Sequence, residues 1–180
     1  LDIEEKTGLY FVEENGDLEE SIDAEQVFYY IYAMTNSNTY RERYYDFIKK
    51  DFPRIPITKD KGLFIGLIKL GENLTRLHLF EKTTKINVRF PNQGSDTIEK
   101  IEFIKNGEEE SGNVFINNTQ FFTGVKEEVW NYHIGGYQVA LQWLKERKNR
   151  TITYNEKVHY MRMLSIISST LETVQDIDNL

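Results

Sequence analysis

The chain has 180 residues, a formal net charge of −7, no Cys and 39% hydrophobic residues. Those values fit one globular domain, or one domain with a helical appendage, and exclude a disulfide scaffold, a Cys-ligated metal site and an intrinsically disordered chain. The longest uncharged stretch, Val27 to Tyr40, is too short and too rich in Tyr, Asn and Ser to cross a bilayer, so a soluble, cytoplasmic protein with no membrane partner is expected.

Residues 1–26 carry ten acids against the single base Lys6, and the last ten residues add Glu172, Asp176 and Asp178. The intervening body is mildly basic, which permits contact with nucleic acid without requiring it, because a phosphate-binding surface needs bases clustered on one face. We expect 1–26 to be an acidic linker or edge segment and 27–180 to be a single domain. The charged, Met-less opening at Leu1 also reads as a piece of a longer polypeptide.

Leu9-Tyr10-Phe11-Val12 ahead of Glu-Glu-Asn-Gly predicts a short strand and turn. A helix is expected from about Asp23 to Met34, with Val27, Tyr30, Ile31 and Met34 on one face at i, i+3, i+4 and i+7. Thr35-Asn36-Ser37-Asn38 supplies a stop and a new cap, and Thr39 to Lys50 reads as a second helix ended by Pro53. Phe52-Pro53-Arg54-Ile55-Pro56 is extended. Thr58 is the expected N-cap of a third helix over Lys59 to Phe80, in which Gly66 and Gly71 each cost roughly 1 kcal/mol relative to Ala and so point to close packing or a bend.

After Glu81 the pattern turns to strands. Lys85 to Phe90 alternates with period two, and Ile98 to Ile104 and Asn113 to Asn117 are rich in β-formers, predicting a small antiparallel sheet. Asn106 to Gly112 is too polar to bury and reads as a solvent loop. Helices are expected again over Lys126–Tyr132, Tyr137–Lys148 and Asn155–Thr173. The fold class is therefore α+β: a helical part over 27–81, a sheet over 85–123 and C-terminal helices over 126–178.

No catalytic constellation is visible. His78, His133 and His159 lie far apart without metal-ligand spacing, and no G-x-S-x-G, Walker or dinucleotide-binding glycine pattern occurs. Glu108-Glu109-Glu110 sits in a polar turn with nothing to raise a carboxyl pKa. Neither catalysis, a metal nor a cofactor is expected within this chain.

Three stretches carry a more specific likeness. Val27-Phe28-Tyr29-Tyr30-Ile31-Tyr32-Ala33-Met34-Thr35-Asn36-Ser37, continued by Tyr40-Arg41-Glu42-Arg43-Tyr44 and Phe52-Pro53-Arg54-Ile55-Pro56, resembles the start of the C-terminal specificity region of single-polypeptide type I-like (type ISP) restriction-modification enzymes. Leu63 to Phe80, with Leu70-Gly71 and Leu77-His78-Leu79, resembles the helix that follows. Gly112 to Asn117, Val129-Trp130, Ile134-Gly135-Gly136-Tyr137-Gln138-Val139, Trp143-Leu144-Lys145, Arg147-Lys148 and the helix around His159-Tyr160 resemble its C-terminal block.

The resemblance implies a large parent enzyme holding a nuclease, a helicase-like ATPase and an adenine N6-methyltransferase that uses S-adenosylmethionine, with ATP and Mg as the parent's further cofactors. This chain would be the terminal part that selects the DNA sequence. Its expected partners are double-stranded DNA and the methyltransferase domain of the same polypeptide. The methyltransferase signature Asn-Pro-Pro-Tyr is absent, so the catalytic residues would lie upstream. The alternative is a non-catalytic module that docks the methyltransferase to other parts of the parent.

A sequence reader needs base-edge donors and acceptors on loops, held by bases that grip phosphates. Asn92 and Gln93 follow Lys85 and Arg89, and Asn117, Asn118 and Gln120 end another predicted strand. These are candidate readers, although Asn, Gly and Ser also simply make turns. Lys145, Arg147, Lys148 and Arg150 are candidate phosphate anchors, although bases near a helix C-terminus also complement its dipole. Arg54, fixed between two prolines, is a candidate for phosphate or for bracing a neighbouring domain. Arg41, Arg43, Lys49 and Lys50 read as a solvated face, and Trp130, Tyr137 and Trp143 as core.

Overall fold

The computed structural model describes residues 2–82 and 84–180, and these separate into two compact units. Among the described residues, one comprises 2–82 with 172–180 and the other 84–171, where the sequence pattern led to an acidic linker or edge segment over 1–26 and a single domain over 27–180.

The first unit is built on two helices. It opens with α1 (Asp2–Thr7), then β1 (Tyr10–Phe11) paired in parallel with β2 (Ser21–Ile22). Leu9 and Ile22, set among the ten acids, are fully buried. The acidic segment thus contributes two apolar side chains to the core of this unit. Helix α2 (Ala24–Asn36) starts at Asp23, whose carboxylate accepts from Gln26 N while the Gln26 side chain accepts from Asp23 N. This reciprocal cap satisfies donors that a helix start leaves open. The predicted second helix is broken into α3 (Asn38–Arg43) and α4 (Tyr45–Ile48), with Tyr44 out of helical geometry at the joint.

Helix α5 (Lys61–His78) is capped by Asp60 rather than by Thr58, whose hydroxyl instead accepts from Asp60 N at 3.1 Å. It packs on α2 through Phe64, Leu67, Ile68 and Leu74 against Tyr30 and Ala33. At Gly71 the two backbones meet, and a Cβ there would overlap the Tyr29 carbonyl. The close packing expected of that glycine is therefore real. Val174 and Ile177 complete this core, and Asp178 accepts hydrogen bonds from Ser37 Oγ (2.6 Å) and from the Asn38 and Thr39 amides (3.2 Å each) at the start of α3.

The second unit holds an antiparallel sheet, β3 (Glu102–Lys105), β4 (Ser111–Phe115) and β5 (Phe121–Lys126), in that order. Strand β5 buries both Phe122 and Val125, which a strict period of two would put on opposite faces. The register shifts between Gly112 and Asn113, opposite Gly124 with φ +81°. A bulge at a residue free to take positive φ brings both side chains inward. The strand expected over 85–90 contracts to one bridge, Arg89 to Thr123.

Next come α6 (Glu127–Trp130), the hairpin β6 (His133–Ile134) and β7 (Tyr137–Gln138), α7 (Val139–Lys145) and α8 (Tyr154–Asn179). Tyr160 of α8 is fully buried, with its ring 4.6 Å from Phe122 and 4.8 Å from Trp143 and its hydroxyl donating to Ala140 O at 3.1 Å. Burial pushes that phenol up from its ordinary value. Trp130 lies in the core, stacked on Phe103, whereas Tyr137, expected there too, stands 67% exposed on the hairpin.

Candidate nucleic-acid interface

The segment after Arg89 and the turn between β4 and β5 form one braced structure in the second unit. Asn117 closes its own turn, its Oδ1 accepting from Thr119 N (3.0 Å) and Gln120 N (2.8 Å). Gln120 has no exposed surface. Its Oε1 accepts from Asp96 N (2.8 Å) and Asn117 Nδ2 (2.9 Å), and its Nε2 donates to Asp96 Oδ1 (2.8 Å) and Asn92 O (3.2 Å). Those four bonds use the whole capacity of a primary amide. Asn92 Nδ2 in turn donates to Thr119 O at 2.6 Å. The two loops are therefore held as one piece.

The basic turn after α7 lies against the same piece. Ile98 N donates to Arg150 O (3.1 Å), Asn149 N to Ile98 O (2.7 Å) and Ile152 N to Asp96 O (2.9 Å). Thr97 and Thr151 pair through backbone and hydroxyls, and Lys157 reaches Asp96 Oδ2 at 2.7 Å. Residues more than fifty positions apart in sequence thus share one surface.

The four bases at the end of α7 and in this turn divide. Arg147 lies 3.8 Å over the Trp143 ring and 3.4 Å from Glu156, while Arg150 meets Glu156 at 2.6 Å. Glu156 also accepts from Thr153 N at the start of α8. The Thr153 amide first, and then Arg150, hold its carboxyl down at about 2. Lys145 and Lys148 are exposed, and their side chains have no hydrogen bond or ion pair among the described residues.

Of the other expected residues, Lys85, Arg89, Gln93 and Asn118 are exposed in the second unit, with side chains unpaired among the described residues. Asn117 and Gln120 are buried, their polar groups committed to the loops. Arg54 belongs to the first unit, is 90% exposed and lies 3.8 Å from Asp51. Sequence reading passed over Asp96, Glu156 and Lys157, which tie the pieces together. An Asp in a turn and a Thr-x-x-Glu capping box at Thr153–Glu156 were the available signals. Among the described residues no group of His, Asp and Glu is placed to hold a metal ion, and no helix is long and apolar enough to cross a membrane.

Comparison with known proteins places the chain. The profile of the Type ISP C-terminal specificity domain matches residues 4–176. The chain belongs to that family. As a type ISP specificity domain it shares its fold with three solved structures. One is a nuclease-deletion mutant of the Type ISP restriction-modification enzyme LlaGI in complex with a DNA substrate mimic (23% identity, TM-score 0.64, 89% of this chain and 14% of that one). Another is the DrdV–DNA complex (20% identity, TM-score 0.68, 90% and 18%). The third is the ATP-dependent Type ISP enzyme LlaBIII bound to DNA (24% identity, TM-score 0.60, 87% and 11%). This chain thus spans less than a fifth of the length of each. No curated protein matches it.

Proposed function

We propose that this specificity domain reads duplex DNA through the second unit, and that the nuclease, ATPase and adenine N6-methyltransferase chemistry, with its S-adenosylmethionine, ATP and Mg, belongs to the parent polypeptide. The observation that carries the reading is the joining of free amide side chains to free bases. Gln93 and Asn118 stand exposed on braced loops, beside a turn that follows Lys145 and presents Lys148, while Arg150 in the same turn is paired with Glu156. An Asn or Gln amide can pair bidentately with the adenine edge in the major groove, and bases grip phosphates regardless of sequence. Asn117 and Gln120 enter this reading as supports for the loops rather than as base contacts. Arg89, three residues before Asn92, and Lys85 extend the basic flank.

The domain supplies recognition; the reactions it would direct occur elsewhere. Selection of bound duplexes from a randomised pool, at low and moderate salt, tests this. A short enriched motif, relaxed when Gln93 and Asn118 are both changed to Ala, is expected. Absence of enrichment at either salt overturns it.

A docking role is favoured by a separate observation on the first unit. Tyr45, Phe47 and Phe52 are 57, 72 and 88% exposed, and α4 has no buried residue. Phe47 and Phe52 flank a cleft of about 210 Å³ with Tyr40, Tyr44 and Pro53. Such an apolar surface suits contact with another domain of the parent. Docking of this kind would be nearly insensitive to salt, whereas binding through phosphates weakens steeply.

A further inference from the structure

The polar centre beneath the two loops supports a second assignment, which rests on the DNA-reading proposal. Gln120 is fully buried, with neither of its polar side-chain atoms open to solvent. All four of its bonds end on the loops themselves: two on Asp96, one on Asn92 O and one on Asn117. Burying an amide is unfavourable unless each polar group is paired, and an apolar side chain of the same size would fill the space without that demand. The gain is in geometry, because a fully satisfied buried network holds one arrangement and not several.

Two neighbours are shaped to this amide. Gly94 lies so close that a Cβ on it would fall 2.6 Å from the Gln120 amide carbon and 2.7 Å from its oxygen. Asp96 takes φ +56°, a conformation its short side chain tolerates, and bonds in three directions. Its amide and Oδ1 go to Gln120, its carbonyl to Ile152 N, and its Oδ2 to Lys157. Asp96 therefore joins the Gln120 centre to the turn carrying Lys148 and Arg150, next to the backbone bonds that Thr97 and Ile98 make to the same turn.

We propose that Gln120 and Asp96 are positioning residues for sequence recognition. Gln120 sets the path of residues 92–96 from below. Asp96 sets the distance between that path and the basic turn, so that amides meet base edges while the bases hold the backbone. Neither touches DNA. Base-edge hydrogen bonds tolerate displacements of only about half an ångström, whereas a flexible Lys or Arg still finds a phosphate after such a shift. Loosening the centre should thus erase discrimination before it erases binding.

The test compares the whole chain with its Gln120→Met, Gly94→Ala and Lys157→Met variants, taking Gln93→Ala as reference. Affinities for the selected motif and for a scrambled duplex are measured across a salt series, with thermal unfolding alongside. Gln120→Met is expected to keep its affinity for scrambled DNA within about twofold and to keep the salt slope. Its preference for the motif should fall about tenfold, the order of one lost bidentate base contact. Gly94→Ala should show the same signature while leaving every Gln120 bonding group in place, so it decides the matter if Gln120→Met fails to fold. Lys157→Met should give a smaller loss of preference.

An unchanged motif preference in the folded variants, with Gln93→Ala impaired, overturns the positioning role alone. A parallel fall in motif and scrambled affinity overturns it too, since a merely structural residue behaves that way. A wild-type chain that prefers no motif overturns the DNA-reading proposal and this inference together, and that result precedes any variant.

Discussion

At the scale of single residues, the residue type was legible and its role was not. Asn117, Asn118 and Gln120 look alike in sequence, as polar residues in a turn. Only Asn118 is left open to solvent, because Asn117 and Gln120 spend their amides on Thr119, Asp96 and Asn92. Polar residues carry no periodic sign of burial, so no pattern distinguishes a brace from a reader. Glu156 shows the same limit: it reads as a helix-cap partner but also binds Arg147 and Arg150. Its carboxyl is held at about 2, below the ordinary 4.5, so it gives stability in full above pH 4.5 and loses it as pH falls toward about 2. Denaturant unfolding of wild type and Glu156→Gln should differ near neutrality and converge across that interval. A gap that persists at pH 2 would contradict the assignment.

At the scale of elements, long periodic helices could be read and their joints could not. Helices α2 and α5 fall within two residues of their expected bounds, since the apolar spacing that buries a face also identifies it. The break at Tyr44 has no Gly or Pro to announce it. The strand over 85–90 was predicted from alternation alone, but only Arg89 finds a partner on β5. Helix α8 runs to Asn179, past the expected Thr173, because nothing there stops it.

The two glycines of α5 were given equal standing by sequence and separate sharply in the structure. A Cβ at Gly71 would strike the Tyr29 backbone, whereas at Gly66 it would meet Leu180 Cδ1 at 3.3 Å, the end of an exposed terminal side chain. Gly71→Ala should destabilise the chain by about 1–3 kcal/mol through overpacking. Gly66→Ala should stabilise it by up to about 1 kcal/mol through helix propensity. Urea titration of both variants checks the opposite signs.

At the scale of the whole molecule, the family was legible because its likeness lay in ordered runs across nearly the whole chain, and the profile match over 4–176 bears it out. The α+β class was legible as well. What could not be read was that residues 92–96, 117–120 and 145–150 converge, since one-dimensional spacing says nothing about which loops the sheet and α8 bring together. Charge behaves similarly: a net −7 conceals free lysines at 145 and 148. If those lysines anchor phosphates, Lys148→Ala should weaken binding to all duplexes alike and reduce the magnitude of the log-affinity against log-salt slope by about 1, with the preferred sequence unchanged. A changed preference would instead place Lys148 among the readers.

The division of labour in the two loops has an evolutionary consequence. Gln93 and Asn118 bond to nothing else in the protein among the described residues, while the conformation beneath them is set by Gln120, Asn117 and Asp96. Exposed positions of this sort accept replacement within about 0.5 kcal/mol of folding stability. If Gln93 and Asn118 are the readers, a lineage carrying this domain can exchange the two tip side chains, and with them the target it selects, by point mutation and without rebuilding the scaffold. On that reading, new specificities would lie one or two codons away from the old one.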